Sequence, residues 1–124
     1  MKILKLAVVA AALAGGAPFA QAGSDVGGNY KVEGTNFDGS KYSGDAKITI
    51  TSKTTCNIEW HTGGDSSSVG ICMRNDDAFA AAYKMKDGSV GLIIYQMDED
   101  GVMDGVWTLT GKDGAGTEKL TPAG

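Results

Sequence analysis

The sequence is poor in the residues that break strands and in those that carry most side-chain chemistry: of 124 residues, 2 are proline, 2 cysteine and 1 histidine. Beyond the amino-terminal segment the one proline is Pro122, so no internal strand is denied a backbone donor. His61 with Cys56 and Cys72 makes a poor zinc set, because structural zinc takes four nitrogen or sulfur ligands. No Gly-x-Ser-x-Gly elbow occurs, which removes the strand-to-helix serine nucleophile. An excess of basic charge is also missing, since 11 Lys and Arg stand against 15 Asp and Glu. That balance argues against a nucleic-acid surface and against an anionic membrane. A chain this short is expected to build one core, without space for a large buried catalytic centre as well.

What is present begins with an address. Lys2 and Lys5 precede a short apolar run, Leu6 to Ala14, followed by Gly15-Gly16 and Ala20-Gln21-Ala22. These are the three parts of an export signal cleaved before Gly23, and the run is too short to span a bilayer. Residues 1–22 are therefore expected to be removed and residues 23–124 to form a single domain, periplasmic or secreted. Removing Lys2 and Lys5 takes the net charge from −4 to −6. In an oxidising compartment Cys56 and Cys72 are expected to form one disulfide.

Turn signals then recur at short intervals: Asp38-Gly39, Gly63-Gly64-Asp65, Asn75-Asp76, Asp87-Gly88, Asp100-Gly101 and Asp113-Gly114. Asp-Gly favours tight hairpins because the turn needs positive φ. Between the turns lie eight predicted strands, at about 28–36, 41–51, 55–62, 67–74, 77–86, 89–97, 102–110 and 116–121. Tyr42, Ala46, Ile48 and Ile50 alternate with polar residues, as half-buried strands do. Phe79, Ala81, Tyr83 and Met85 alternate likewise, which favours a strand over a helix there. Eight short strands with no connection long enough for a crossover predict a small antiparallel up-and-down β-barrel, which hides its edges by closing. A two-sheet β-sandwich is the alternative. The strands carry Lys and Glu on both sides, so a membrane barrel with its apolar band of about 25 Å is not expected.

The third hairpin can be registered. If Gly63-Gly64-Asp65 is a three-residue loop, Trp60 faces Ser68, Ile58 faces Gly70 and Cys56 faces Cys72, a separation that a disulfide can bridge. The same register sends Val69, Ile71 and Met73 to the face opposite Ile58 and Trp60. Either a bulge intervenes or one set forms an outward patch, so Trp60, Val69, Ile71 and Met73 are the candidate partner-binding residues.

Other constellations read as structure. Glu59, His61 and Ser66 to Ser68 can be drawn as a triad, but a solvated strand face with a serine-rich turn explains them, and no catalytic residue is assigned. Asp98-Glu99-Asp100-Gly101 falls short of a calcium loop, because position twelve from Asp98 is Leu109, so it reads as an acidic turn. No metal or cofactor is expected. Gly105-x-Trp107 and Gly28-x-Tyr30 each place a ring on the strand face of a glycine, a barrel-packing pattern similar to the Gly-x-Trp of lipocalin and avidin barrels. Tyr42, Trp60, Phe79, Tyr83, Tyr95 and Trp107 are the interior fillers, and a filled interior is preferred to a ligand cavity.

Taken together, Gly28-x-Tyr30-x-Val32-x-Gly34-x-Asn36-x-Asp38-Gly39-Ser40, Cys56-x-Ile58-x-Trp60, Gly70-Ile71-Cys72, Gly105-x-Trp107-Thr108 and Gly116-Thr117-Glu118 resemble a group of small exported proteobacterial proteins often labelled fibronectin-binding. The resemblance implies adhesion to a host matrix protein. The expected function is that of an exported, non-enzymatic binding protein with a protein partner. A periplasmic inhibitor of an exported hydrolase, or a small-ligand carrier, is the alternative.

Overall fold

The computed structural model describes residues 25–124, so the expected export signal, residues 1–22, lies outside the described residues. Eight strands follow in order: β1 (Gly28–Thr35), β2 (Lys41–Ile50), β3 (Thr55–Thr62), β4 (Ser66–Asn75), β5 (Ala78–Met85), β6 (Val90–Met97), β7 (Met103–Leu109) and β8 (Gly116–Pro122). Each pairs antiparallel with the next, and β8 pairs with β1, closing an up-and-down barrel. Among the described residues there is no helix. The sandwich alternative is therefore excluded, and the Ala78 to Met85 segment is a strand.

Local chemistry sets the hairpins. Asp38-Gly39-Ser40 and Asp87-Gly88-Ser89 use one device, in which the aspartate Oδ1 accepts from the serine backbone N at 2.9 Å in both turns. The serine hydroxyl donates to the same oxygen at 2.7 and 2.6 Å. These bonds hold Asp38 and Asp87 below the usual carboxylate range. The glycine between them takes φ of 87° and 92°, values that a side chain would resist. At Asp98, Oδ1 accepts from Asp100 N and Val102 N, so the acidic segment is a self-bonded turn.

Alternation sorts the side chains. Val32, Ala46, Ile48, Ile58, Phe79, Ala81, Ile93, Met103 and Leu120 point inward and are buried. Ile50, expected on the inner face of β2, is instead 43% exposed. It is the last residue of its strand, and its side chain lies against Gly27, which has no side chain to cover it.

The third hairpin has the expected register, with Cys56 opposite Cys72, Ile58 opposite Gly70 and Trp60 opposite Ser68. The two cysteines are bonded across 5.0 Å between Cα atoms. No bulge intervenes. The inner set is Ile58 and Trp60; Val69, Ile71 and Met73 stand outside.

The two ends of the barrel differ. At the end where β1 begins and β8 finishes, Val26, Tyr30, Met97, Met103 and Leu120 belong to the buried core. There Tyr30 Oη donates to the Val26 carbonyl at 2.7 Å, tying the approach segment across the base. The opposite end, ringed by the turns after β1, β3, β5 and β7, is open.

Candidate functional site: the open mouth of the barrel

The open end leads into a cavity of about 320 Å³. Its walls include Tyr42, Trp60, Tyr83 and Trp107, with Ser66, Ser68 and Met85 near the rim and Glu118 below. A filled interior was the sequence expectation; the six aromatics named for it do face inward, but they pack the base and line the upper half. Trp60 meets Tyr83 edge-on at 5.2 Å between centroids. Trp107 packs on Phe37 at 4.7 Å and donates Nε1–H to the Thr117 carbonyl at 3.1 Å.

Glu118 is the site's chemical centre. It is 6% exposed and is the buried charged residue among the described residues. Tyr42 Oη donates to Oε1 at 2.7 Å. Trp60 Nε1–H donates to Oε2 at 2.9 Å, and Tyr95 Oη donates to the same oxygen. Burial pushes the carboxyl above its ordinary range, and the three donors, Tyr95 foremost, pull part of that shift back. Burial, followed by the nearby Glu118 charge, drives Tyr42, Tyr95 and Tyr83 upward, so these phenols stay protonated and available as donors.

Strand register explains how the two tyrosine donors converge. Across β2, β1, β8, β7 and β6 one row reads Tyr42, Gly34, Glu118, Gly105, Tyr95. The two glycines flanking Glu118 leave room for the tyrosine rings to lie over the neighbouring strands and reach the carboxyl. A Cβ at Gly105 would fall 2.6 Å from Tyr95 Cδ1, and one at Gly34 would enter the Tyr42 ring. Gly34→Ala and Gly105→Ala are each expected to lower stability by about 1–3 kcal/mol through this overpacking. Thermal unfolding checks this, and wild-type melting temperatures for both would remove the row as a device.

Sequence reasoning missed Glu118, although a signal existed. Gly116, Glu118 and Leu120 share one strand face, and placing Leu120 inside places Glu118 inside too. Trp60, expected as a possible surface residue, is 4% exposed and committed to the cavity wall, so it leaves the candidate partner surface. Glu59 and His61 lie on the outer face, on the other side of the wall from the cavity. The His/Cys/Asp/Glu side chains form no three-residue metal cluster among the described residues.

The outer patch is wider than the hairpin. Val69, Ile71 and Met73 are 61%, 67% and 55% exposed, and the register aligns Ile71 with Ala82 and Leu92, and Met73 with Ala80, Ile94 and Val106. The small alanines of β5 form a trough between aliphatic ridges on β4 and β6, a groove of about 660 Å³.

No protein-family profile matches this chain, and no curated protein does. Solved structures do. A redesigned β-barrel superposes with a TM-score of 0.70 at 17% identity, covering 80% of this chain and 92% of its own. A redesigned β-barrel bound to DFHBI gives 0.66 at 20% identity over 77% and 94%. A de novo designed fluorescence-activating β-barrel gives 0.62 at 15% identity over 78% and 93%. At these identities the likeness is one of fold, and the fold this chain shares with them is the eight-stranded antiparallel barrel.

Proposed function

We propose that the protein is an exported, non-catalytic binding protein that carries a small ligand in the mouth of its barrel. The observation that carries this reading is the open cavity of about 320 Å³ with an aromatic wall and a buried polar floor. Small-molecule sites have this form: a concavity of roughly 300–1,000 Å³, mostly apolar, with a few placed polar groups. A designed barrel of the same fold is bound to DFHBI, which supports the carrier reading by analogy of architecture. The disulfide and the export pattern support residence in the periplasm or outside the cell.

The test is titration of the oxidised protein with 2-phenylethanol, a small neutral aromatic probe, followed by amide and indole NMR shifts. Shifts are expected at Trp60, Tyr83, Trp107 and Ser68, not at Met103 or Leu120 in the base. A folded Ser68→Trp variant, its mouth blocked, is expected to lose them. Shifts confined to the outer face, or none, would reject the reading.

A second reading rests on the outer groove, which favours a protein partner. Under it the resemblance supplies fibronectin as the partner to try; an exported hydrolase is the alternative. Immobilised fibronectin should then retain the wild type and release Ile71→Asp; equal retention of both excludes the groove.

A further inference from the structure

We infer that the ligand of this mouth carries a cationic nitrogen, an ammonium or amidinium group that docks on the Glu118 carboxylate with a flat apolar body against the Trp60, Tyr83 and Trp107 rings. The inference rests on the small-ligand reading of the mouth and adds the chemical class.

Three features lead to it. First, the carboxylate lacks a counterion. Its three partners, Tyr42, Trp60 and Tyr95, are neutral donors, and no basic side chain enters its charge balance among the described residues. A buried carboxylate is costly unless paired. Second, acceptor capacity remains. A carboxylate offers about four lone-pair sites; Oε2 accepts from both Trp60 and Tyr95, whereas Oε1 accepts from Tyr42. Glu118 lines the cavity, so a donor entering from the mouth can reach it. Third, the surrounding walls are aromatic, and ring faces attract a desolvated cation. An anionic ligand would meet a negative centre and rings of the wrong polarity.

The groups facing Glu118 are few. Tyr42 comes from β2, Trp60 from β3, Tyr83 from β5 and Tyr95 from β6, while β1 and β7 contribute Gly34 and Gly105 and β4 contributes Ser68. Glu118 is therefore the one carboxyl of this set, and burial moves all three phenols upward, away from it. Burial raises its pKa, and a bound cation favours the ionised form. Affinity for a cation must consequently fall as pH is lowered through that raised pKa, and affinity for a neutral ligand must not.

The experiment compares three probes of one shape on the oxidised protein: phenethylamine, 2-phenylethanol and 3-phenylpropanoate. Phenethylamine is expected to bind roughly tenfold or more tightly than the alcohol, the worth of one hydrogen bond to a charged group, with a shifted Trp60 Nε1–H resonance. The propanoate is expected to bind weakest. Glu118→Gln should bring the amine down to the alcohol, and its fold is expected to persist because Tyr42 Oη has the Thr117 carbonyl as a second acceptor at 3.4 Å. Should that variant not fold, the wild-type pH series decides, with amine affinity falling in acid while alcohol affinity holds. Equal binding of amine and alcohol in the mouth, or tighter binding of the propanoate, overturns the cation and leaves the small-ligand reading standing. Absence of all three from the mouth overturns both.

Discussion

Ile58→Asp is expected to leave no folded protein, whereas Ile71→Asp is expected to fold. The two residues lie in adjacent strands, but Ile58 is 2% exposed and Ile71 is 67% exposed. Inside, the new carboxylate would lie among the apolar side chains of the core. An unpaired buried charge costs more than about 4–5 kcal/mol, a large share of the 5–15 kcal/mol that a small domain has. Outside, the substitution loses the strand preference of isoleucine, a scale that spans about 1 kcal/mol. Circular dichroism of the two purified variants checks the pair. If both unfold, Ile71 belongs to a core and the outer groove is not a surface; if both fold, the inward assignment of Ile58 fails.

Removing the disulfide by Cys56→Ala with Cys72→Ala is expected to lower stability by about 3 kcal/mol. The bond joins residues 16 apart, and closing a loop of about that length removes that much free energy from the unfolded chain in the entropy treatment. For a domain of this size the melting temperature should drop by roughly 12 °C or more. Both cysteines are also buried, at 3% and 4% exposure, so the alanine pair adds a small packing loss of the same sign. Thiol titration of denatured, unreduced wild type should find no free thiol. Two free thiols would remove the bond and its contribution.

Strands were legible where alternation and turn chemistry agreed. The flanking turns at Asn75-Asp76 and Asp87-Gly88 and the pattern Phe79, Ala81, Tyr83, Met85 favour a strand at β5 over a helix, and the three-residue loop after Thr62 sets a register that carries the cysteines into opposition. The outward position of Val69, Ile71 and Met73 followed from that register once Trp60 was known to be inside. The breadth of the outer face did not follow, because Leu92, Ile94 and Val106 join it through pairings between strands that no local pattern specifies. Glu118 stayed hidden for a related reason. A lone glutamate beside Lys119 reads as a solvated strand residue, and its burial is stabilised by tyrosines 76 and 23 positions away in the chain. Gly105 reads from sequence as space for the ring of Trp107 on its own strand; register shows Gly34 and Gly105 as space for Tyr42 and Tyr95, the rings that hold the carboxyl.

The pairing order has a consequence for how the barrel is completed. Each strand from β2 to β8 can zip onto its predecessor through a short connection, but the seam between β1 and β8 joins partners such as Thr35 and Thr117, 82 residues apart. Contacts of that separation form late, since a long loop must be closed before they are repaid. In a chain that emerges amino end first the disulfide hairpin is whole once Asn75 has passed, well ahead of Gly116. Glu118 thus arrives on the closing strand, and the barrel shuts in the same event that delivers the carboxylate between its two tyrosines.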